Sequence, residues 1–319
     1  MTTSIFIDGE AGTTGLQIRD KLAGLKGIAL RTLPAERRKD PAAKLALFAE
    51  VDLVILCLPD EAARETAKAI DALGDKAPRV IDASSAHRVA PGWVYGFPEL
   101  AAGQGAAIAA ARRVTNPGCH ATGAIALLAP LTAAGLIAKD AAISINSVSG
   151  YSGGGKSMIE AFESGRAPSF ELYGLALQHK HLPEIERYSG LAAKPIFVPS
   201  VGNFRRGMIV SAPLHLDALP GKPKGAELRA VLAAHYKGAR YVKVASAEES
   251  AAAARLEPES LNGTNDMLIH VYENEARRQA LLAARFDNLG KGASGAAVQN
   301  LQLMLGLETT PPSDRHDRA

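Results

Sequence analysis

Along the first third of the chain, short apolar runs alternate with helically spaced segments. SIFIDG (4–9) is an apolar run that ends in glycine, and residues 13–22 follow with helical spacing. IALRTL (28–33) reads as a second strand and 42–50 as a second helix. VDLVILCLP (51–59) is an unbroken apolar run stopped by Pro59, and RVIDAS (79–84) is another of the same kind. Runs without polar alternation suit strands covered on both faces. Between them, DEAARETAKAIDAL (60–73) opens with an acidic first turn, as helices do. The alternation predicts an α/β unit with a doubly wound parallel sheet.

The texture changes near Asn116. A long helix is expected over 119–134, then strands at 142–149, 196–201, 208–216, 241–246, 267–274 and 280–288. Several of these alternate apolar and polar positions, the mark of half-exposed antiparallel strands, so this part reads as an α+β domain. A final helix over 294–305 would put Val298, Leu301 and Leu305 on one face, and the last residues, 309–319, read as a frayed tail. No repeat of 20–50 residues is present.

Composition narrows the picture. The 319 residues are 47% hydrophobic and 22% charged, which excludes a disordered chain and allows two medium domains. A net charge of +3 gives no footprint for nucleic acid or a membrane surface. No apolar run approaches the ~20 residues of a membrane helix. The first residues enter a strand without a basic lead, which predicts no secretory leader. Two cysteines supply neither a disulfide framework nor a zinc ligand set. The expectation is a cytoplasmic enzyme without a metal.

The first strand is followed by Gly9, Gly12 and Gly15, with Thr13 and Thr14 between the last two. This GxxGxxG loop opens a helix, the setting in which backbone amides cradle a dinucleotide pyrophosphate. The usual partner is an acid about 20 residues on, which binds a ribose hydroxyl. Here Arg31 takes that place, with Arg37 and Arg38 close behind and Glu36 available to pair with Arg37. Arginine accepts a 2′-phosphate, so NADP is expected over NAD.

Asn116-Pro117-Gly118-Cys119-His120 is the sharpest feature. Pro and Gly end one element, and Cys119 begins an apolar helix. A thiol at a helix N-terminus is expected to have a lowered pKa, fit for covalent chemistry on an acyl carbon. Cys57, inside an apolar strand, reads as packing. Proton transfer needs a partner, and eight histidines are available. His120 is next in sequence, but helix neighbours do not face each other. His179 and His181, with Glu184 placed to orient one of them, form the best cluster. Gly150-Tyr151-Ser152-Gly153-Gly154-Gly155-Lys156-Ser157 also matches GxxxxGK[ST], the phosphate loop of nucleoside triphosphatases. That rival needs a later apolar strand ending in a magnesium-binding aspartate. No convincing one follows, but the loop and Lys156 would still favour an anion.

Taken together, GEAGTTG (9–15), NPGCHATG (116–123), SGYSGGGK (149–156), KHLPEI (180–185) and GNFRRGM (202–208) resemble the N-acetyl-γ-glutamyl-phosphate reductase family in its shorter second form. The resemblance implies a Rossmann domain over 1–117 and 290–319, closed by the returning final helix. It implies a glyceraldehyde-3-phosphate-dehydrogenase-like α+β catalytic and dimerisation domain over 118–289. A homodimer or homotetramer built through the second sheet follows. It also implies a small acyl-phosphate substrate in arginine biosynthesis. Cys119 would attack it to expel phosphate, and NADPH would reduce the thioester while His179 or His181 protonates the oxyanion. Asn288 and Lys291 resemble a second cofactor-contacting segment, and Ser84 is grouped with the cofactor residues. Asn116 falls at the oxyanion. Arg88, Arg112, Arg113 and Lys156 are candidate clamps for a carboxylate or phosphate, and Glu184 is grouped with the substrate residues. Sibling acyl-phosphate reductases, the triphosphatase and a non-catalytic NADP-binding regulator are the alternatives.

Overall fold

The computed structural model describes residues 2–307; the tail expected at 309–319 lies outside them. The chain runs β1 (Thr3–Asp8), α1 (Thr13–Leu22), β2 (Ile28–Arg31), α2 (Pro41–Phe48), β3 (Leu53–Leu56), α3 (Asp60–Asp71), β4 (Arg79–Asp82), β5 (Val94–Tyr95), α4 (Gln104–Ala110) and β6 (Arg113–Thr115). These six strands form one parallel sheet in the order β2-β1-β3-β4-β6-β5. Successive residues of a strand serve opposite faces. Ile5, Ile7, Leu53 and Ile55 pack with Ile18 and Leu22 of α1, whereas Phe6, Val54 and Leu56 pack with Leu47, Phe48 and Ile70 of α2 and α3. That two-sided burial is why these strands read as unbroken apolar runs. The order reverses at β1, so a crevice opens between the ends of β1 and β3, the usual ligand position in such sheets.

The second layer follows as α5 (Cys119–Ala133), β7 (Ser144–Gly150), α6 (Gly155–Glu163), β8 (Phe170–Leu172), α7 (Leu182–Ser189), β9 (Ile196–Gly202), β10 (Met208–His215), α8 (Gly225–His235), β11 (Val242–Val244), α9 (Ala247–Ala252), β12 (Met267–Asn274) and β13 (Gln279–Phe286). The sheet is mixed, in the order β11-β12-β13-β10-β7-β9-β8. β10 is antiparallel to both β7 and β13, while β7 and β9 run parallel. One face is covered by α5, which is buried on nearly every side. A Cβ on Gly123 would stand 2.6 Å from Val210 and 2.9 Å from Phe286, so this glycine lets α5 sit down on β10 and β13. The opposite face is open, with Ile196, Pro213, His215 and Leu281 exposed on it.

The last helix, α10 (Gly295–Leu305), returns to the first sheet. Ala297, Leu301 and Met304 are its buried stripe against Ile5 and Ile81, with Val298 and Leu305 packed at the margin. The expected face is thus turned by about one residue. No described helix is long and apolar enough to cross a membrane.

Candidate active site

Cys119 is the first residue of α5 and lines a cleft of about 310 Å³ between the two layers. The approach is built of backbone with no room for side chains. A Cβ on Gly118 would lie 2.4 Å from His181 Nε2, 2.5 Å from Arg88 Nη1 and 2.6 Å from Glu184 Oε1. Across the cleft, a Cβ on Gly292 would lie 2.8 Å from Cys119 Cβ. Two glycines therefore let three polar side chains and a second chain segment close around one thiol.

Glu184 is the latch of this turn. It is 1% exposed and accepts from Arg88 Nη1 at 2.7 Å, from Tyr95 OH at 2.7 Å and from the Gly118 N–H at 3.1 Å. Arg88 Nε donates in turn to the Asn116 carbonyl at 3.0 Å. The Asn116 amide donates to Ala293 O and its oxygen accepts from Asn300. Asn116 and Glu184 hold the turn together, and neither side chain is left over for a ligand.

Three histidines gather beside the thiol, with ring centroids 4.6–5.7 Å apart. His120, although the next residue in the helix, lines the cleft with Cys119. Its Nδ1 meets Ser147 Oγ at 2.7 Å and its Nε2 meets Tyr173 OH at 2.8 Å. Neighbours on a helix diverge, but a cleft enclosing the helix tip reaches both. His179 Nδ1 accepts the His181 backbone N–H at 3.1 Å, so in the neutral ring Nε2 carries the proton. Burial holds all three neutral: His120 falls to about 3, His179 to about 4, and His181 well below its ordinary value. Lys180 adds to each of these shifts and lines the cleft itself. Lys180 and Tyr173 were both missed. The lysine stood in plain view between two histidines, whereas Tyr173 follows a three-residue strand that has no readable period.

The expectation of a lowered thiol pKa is corrected. Burial pushes the Cys119 thiol up, against the opposing pull of Arg88, the His120 N–H and Lys180. The helix N-terminus is there, but the closed surroundings outweigh it. Cys57 is pushed further, to about 12, by burial and by Asp82 and Asp8.

At the other end of the cleft, Gly9 has φ +91°, and a Cβ there would stand 2.3 Å from Cys57 O. A Cβ on Gly15 would stand 2.5 Å from Gly9 O. These two glycines close the loop, while Gly12, with nothing nearer than 3.4 Å, faces outward at the start of α1. The α1 N-cap makes no side-chain bond, and its first turn contains no acid. The loop fits an anionic dinucleotide: open amides and the positive helix end face a cleft lined by Thr13 and Thr14.

Other expected residues fall elsewhere. Arg112 is exposed, donates to Ala77 O at 3.0 Å and lines a groove away from Cys119. Arg113 lines the same groove and pairs with Asp71. Ser84 is spent on a turn, donating to Asp82 at 2.8 Å and accepting from Ala86 N–H; its neighbour Ala83 lines the cleft instead. Lys291 is 1% exposed and points inward, bound to both Glu99 oxygens and to Gln299 at 2.7–2.8 Å. The irregular turn 290–294 sets Gly292 against Cys119 and directs residue 291 to the far side. Asn288 lines the cleft but braces Ser152 and the Gly207 N–H. Arg31 ends β2 and pairs with Glu50 at 3.3 Å; Arg38 reaches Glu10 in the glycine loop at 2.7 Å. Lys156 lies beside the glycine loop rather than among the groups around Cys119. The triphosphatase motif spans the end of β7 and the start of α6, and β9, the parallel neighbour of β7, ends at Gly202 with no carboxylate.

Residues 119–288 match the semialdehyde dehydrogenase dimerisation domain family, and residues 21–108 match the semialdehyde dehydrogenase NAD-binding domain family. An N-acetyl-γ-glutamyl-phosphate reductase of Burkholderia cenocepacia is 54% identical over 96% of this chain and 98% of that protein. N-acetyl-γ-glutamyl-phosphate reductase 2 of Pseudomonas putida is 53% identical over 96% and 97%. Among solved structures, aspartate semialdehyde dehydrogenase II of Vibrio cholerae superposes with a TM-score of 0.71 at 15% identity, covering 96% of this chain and 99% of that one. The chain belongs to the N-acetyl-γ-glutamyl-phosphate reductase family of semialdehyde dehydrogenases.

Proposed function

We propose that the chain reduces N-acetyl-γ-glutamyl phosphate to N-acetylglutamate 5-semialdehyde with NADPH, in arginine biosynthesis. The observation that carries this reading is one cleft in which Cys119, three histidines and two cations meet the glycine loop. The names of the relatives support the substrate.

The free site keeps its proton on sulfur. An anionic substrate entering between Arg88 and Lys180 offsets two of the cations that hold His181 down, which raises its basicity. His181, whose Nδ1 has no hydrogen-bond partner among the described residues, then takes the thiol proton; His179 has its one lone pair engaged by a backbone N–H. The Cys119 sulfur forms a bond to the acyl carbon, and the carbon–oxygen bond to phosphate breaks, leaving a thioester. A dinucleotide held at the glycine loop by Thr13 and Thr14 would supply the hydride that takes this carbonyl to the aldehyde level. His181 returns the proton to the oxygen, and the aldehyde leaves as the thiol is restored. Glu184 keeps Arg88 and Gly118 in place throughout.

The preference for NADP rests on Arg31 at the end of β2 and Arg38 in the turn that follows it. A homodimer forms through the open face of the mixed sheet around Pro213 and Leu281, in keeping with the dimerisation-domain match. The reducing cytoplasm keeps both free cysteines as thiols.

Turnover on N-acetylglutamyl phosphate against aspartyl phosphate tests the substrate. The reading expects activity with the first, lost in Cys119→Ser with NADPH affinity kept. Preferential turnover of the aspartyl substrate, or an active serine variant, overturns it.

A further inference from the structure

A third helix N-terminus faces the cleft. α6 begins at Gly155, the last of three consecutive glycines, which has φ +76°. Its N-cap, Gly154, has no side chain to cap with, and its first turn holds no acid but does hold Lys156. A cation there adds to the positive helix end instead of offsetting it. The acids further along α6 give no relief: Glu160 is taken by Arg166 and Glu163 by Arg205. Lys156 has no ion-pair or hydrogen-bond partner among the described residues.

Lys156 and Gly155 form one wall of a cleft of about 300 Å³ whose opposite wall is Gly12, Thr13 and Thr14. Among the described residues no carboxylate lines it. Through Thr13, Thr14, Ala83 and Gly155 it runs into the cleft of Cys119. Two uncompensated helix ends, one from each layer, and one unpaired ammonium thus look at the same space. We propose that Lys156 reaches across from the second layer and binds the pyrophosphate of the dinucleotide held on the glycine loop. The inference rests on the dinucleotide reading above and gives Lys156 a task apart from the substrate phosphate. It also makes the cofactor a bridge between the layers. Gly155 lines both clefts, so docking the dinucleotide sets the Gly153–Gly155 turn beside Cys119 before the substrate arrives.

Calorimetric titration of the full chain with NADPH and with NADH, without substrate, tests this. Both carry the pyrophosphate, but only NADPH carries the 2′-phosphate. Lys156→Met is expected to weaken both equally, by roughly tenfold, and to lessen the dependence of affinity on salt. Lys156→Arg is expected to keep both. The KM for inorganic phosphate in the reverse direction stays unchanged in either variant. Unchanged dinucleotide affinity in Lys156→Met overturns the proposal. So does a loss confined to NADPH, which marks a 2′-phosphate contact, or a raised phosphate KM with dinucleotide affinity intact, which marks a substrate clamp. A wild-type chain that binds neither dinucleotide overturns the dinucleotide reading itself and this inference with it.

Discussion

Of the three helices that meet the cleft behind a glycine, α1 and α5 do so in opposite ways. α1 starts behind Gly12, where a Cβ would meet only an ordinary contact with Gly9 O at 3.4 Å, so its amides stay available to a diffusible anion. α5 starts at Gly118 with His181, Arg88 and Glu184 packed within 2.6 Å of where a Cβ would stand. The strand–glycine–helix grammar is shared, but the surroundings decide its use. An open end serves a ligand that brings its own charge. A closed end holds a thiol whose protonation follows burial more than the dipole.

The sharpest way to break the contrast is an added methyl group at each end. Gly118→Ala displaces three side chains around Cys119, and displacements of this size cost about 10²-fold or more in rate. Steady-state kinetics should show that loss in kcat, with NADPH affinity kept. An active Gly118→Ala chain would mean that the crowding is slack.

A second test uses acid. His120 and His179 stay neutral in the fold down to about 3 and about 4, against 6.5 ordinarily. Below pH 6.5 the unfolded chain therefore binds protons that the folded chain refuses. Stability is full above that pH and is lost as the pH falls toward 4. At ~1.4 kcal/mol per pKa unit, the closed end accounts for a fall of several kcal/mol. Thermal melts across this window should show the fall, and His120→Gln should flatten it. A melt independent of pH would contradict the neutral cluster.

The open end predicts smaller effects. Arg31→Ala should weaken NADPH by roughly tenfold, about 1.4 kcal/mol, and NADH hardly at all. Equal losses would remove Arg31 from the 2′-phosphate. Gly12→Ala meets only an ordinary contact at 3.4 Å and should weaken both dinucleotides by no more than about threefold, under 1 kcal/mol. A complete loss of binding there would show that this end is as tightly built as the other.

Much of this was legible. β1, β3 and β4 announce themselves because both of their faces are buried, and α5 because it is apolar on every side. Cys119 and Gly9 stood out because glycine beside a helix start has few other uses. β5, β6 and β8 are two or three residues long and show no period. Side-chain direction was the larger loss. Lys291 and Ser84 lie in the right segments, yet Glu99 and Asp82 turn them away from the cleft. Those partners are set by the fold, 192 and two residues distant. Lys156 was marked as an anion ligand from its motif, but only the meeting of the two layers shows which anion it faces.

The reverse reaction tests the central claim most directly. Purified chain is mixed with N-acetylglutamate 5-semialdehyde and NADP, and absorbance of NADPH is followed with and without inorganic phosphate. The account predicts NADPH formation that depends on phosphate and disappears in Cys119→Ser, because phosphate must release the acyl group from sulfur. NADPH formed at the same sustained rate without phosphate, or by the serine variant, would contradict a thioester at Cys119.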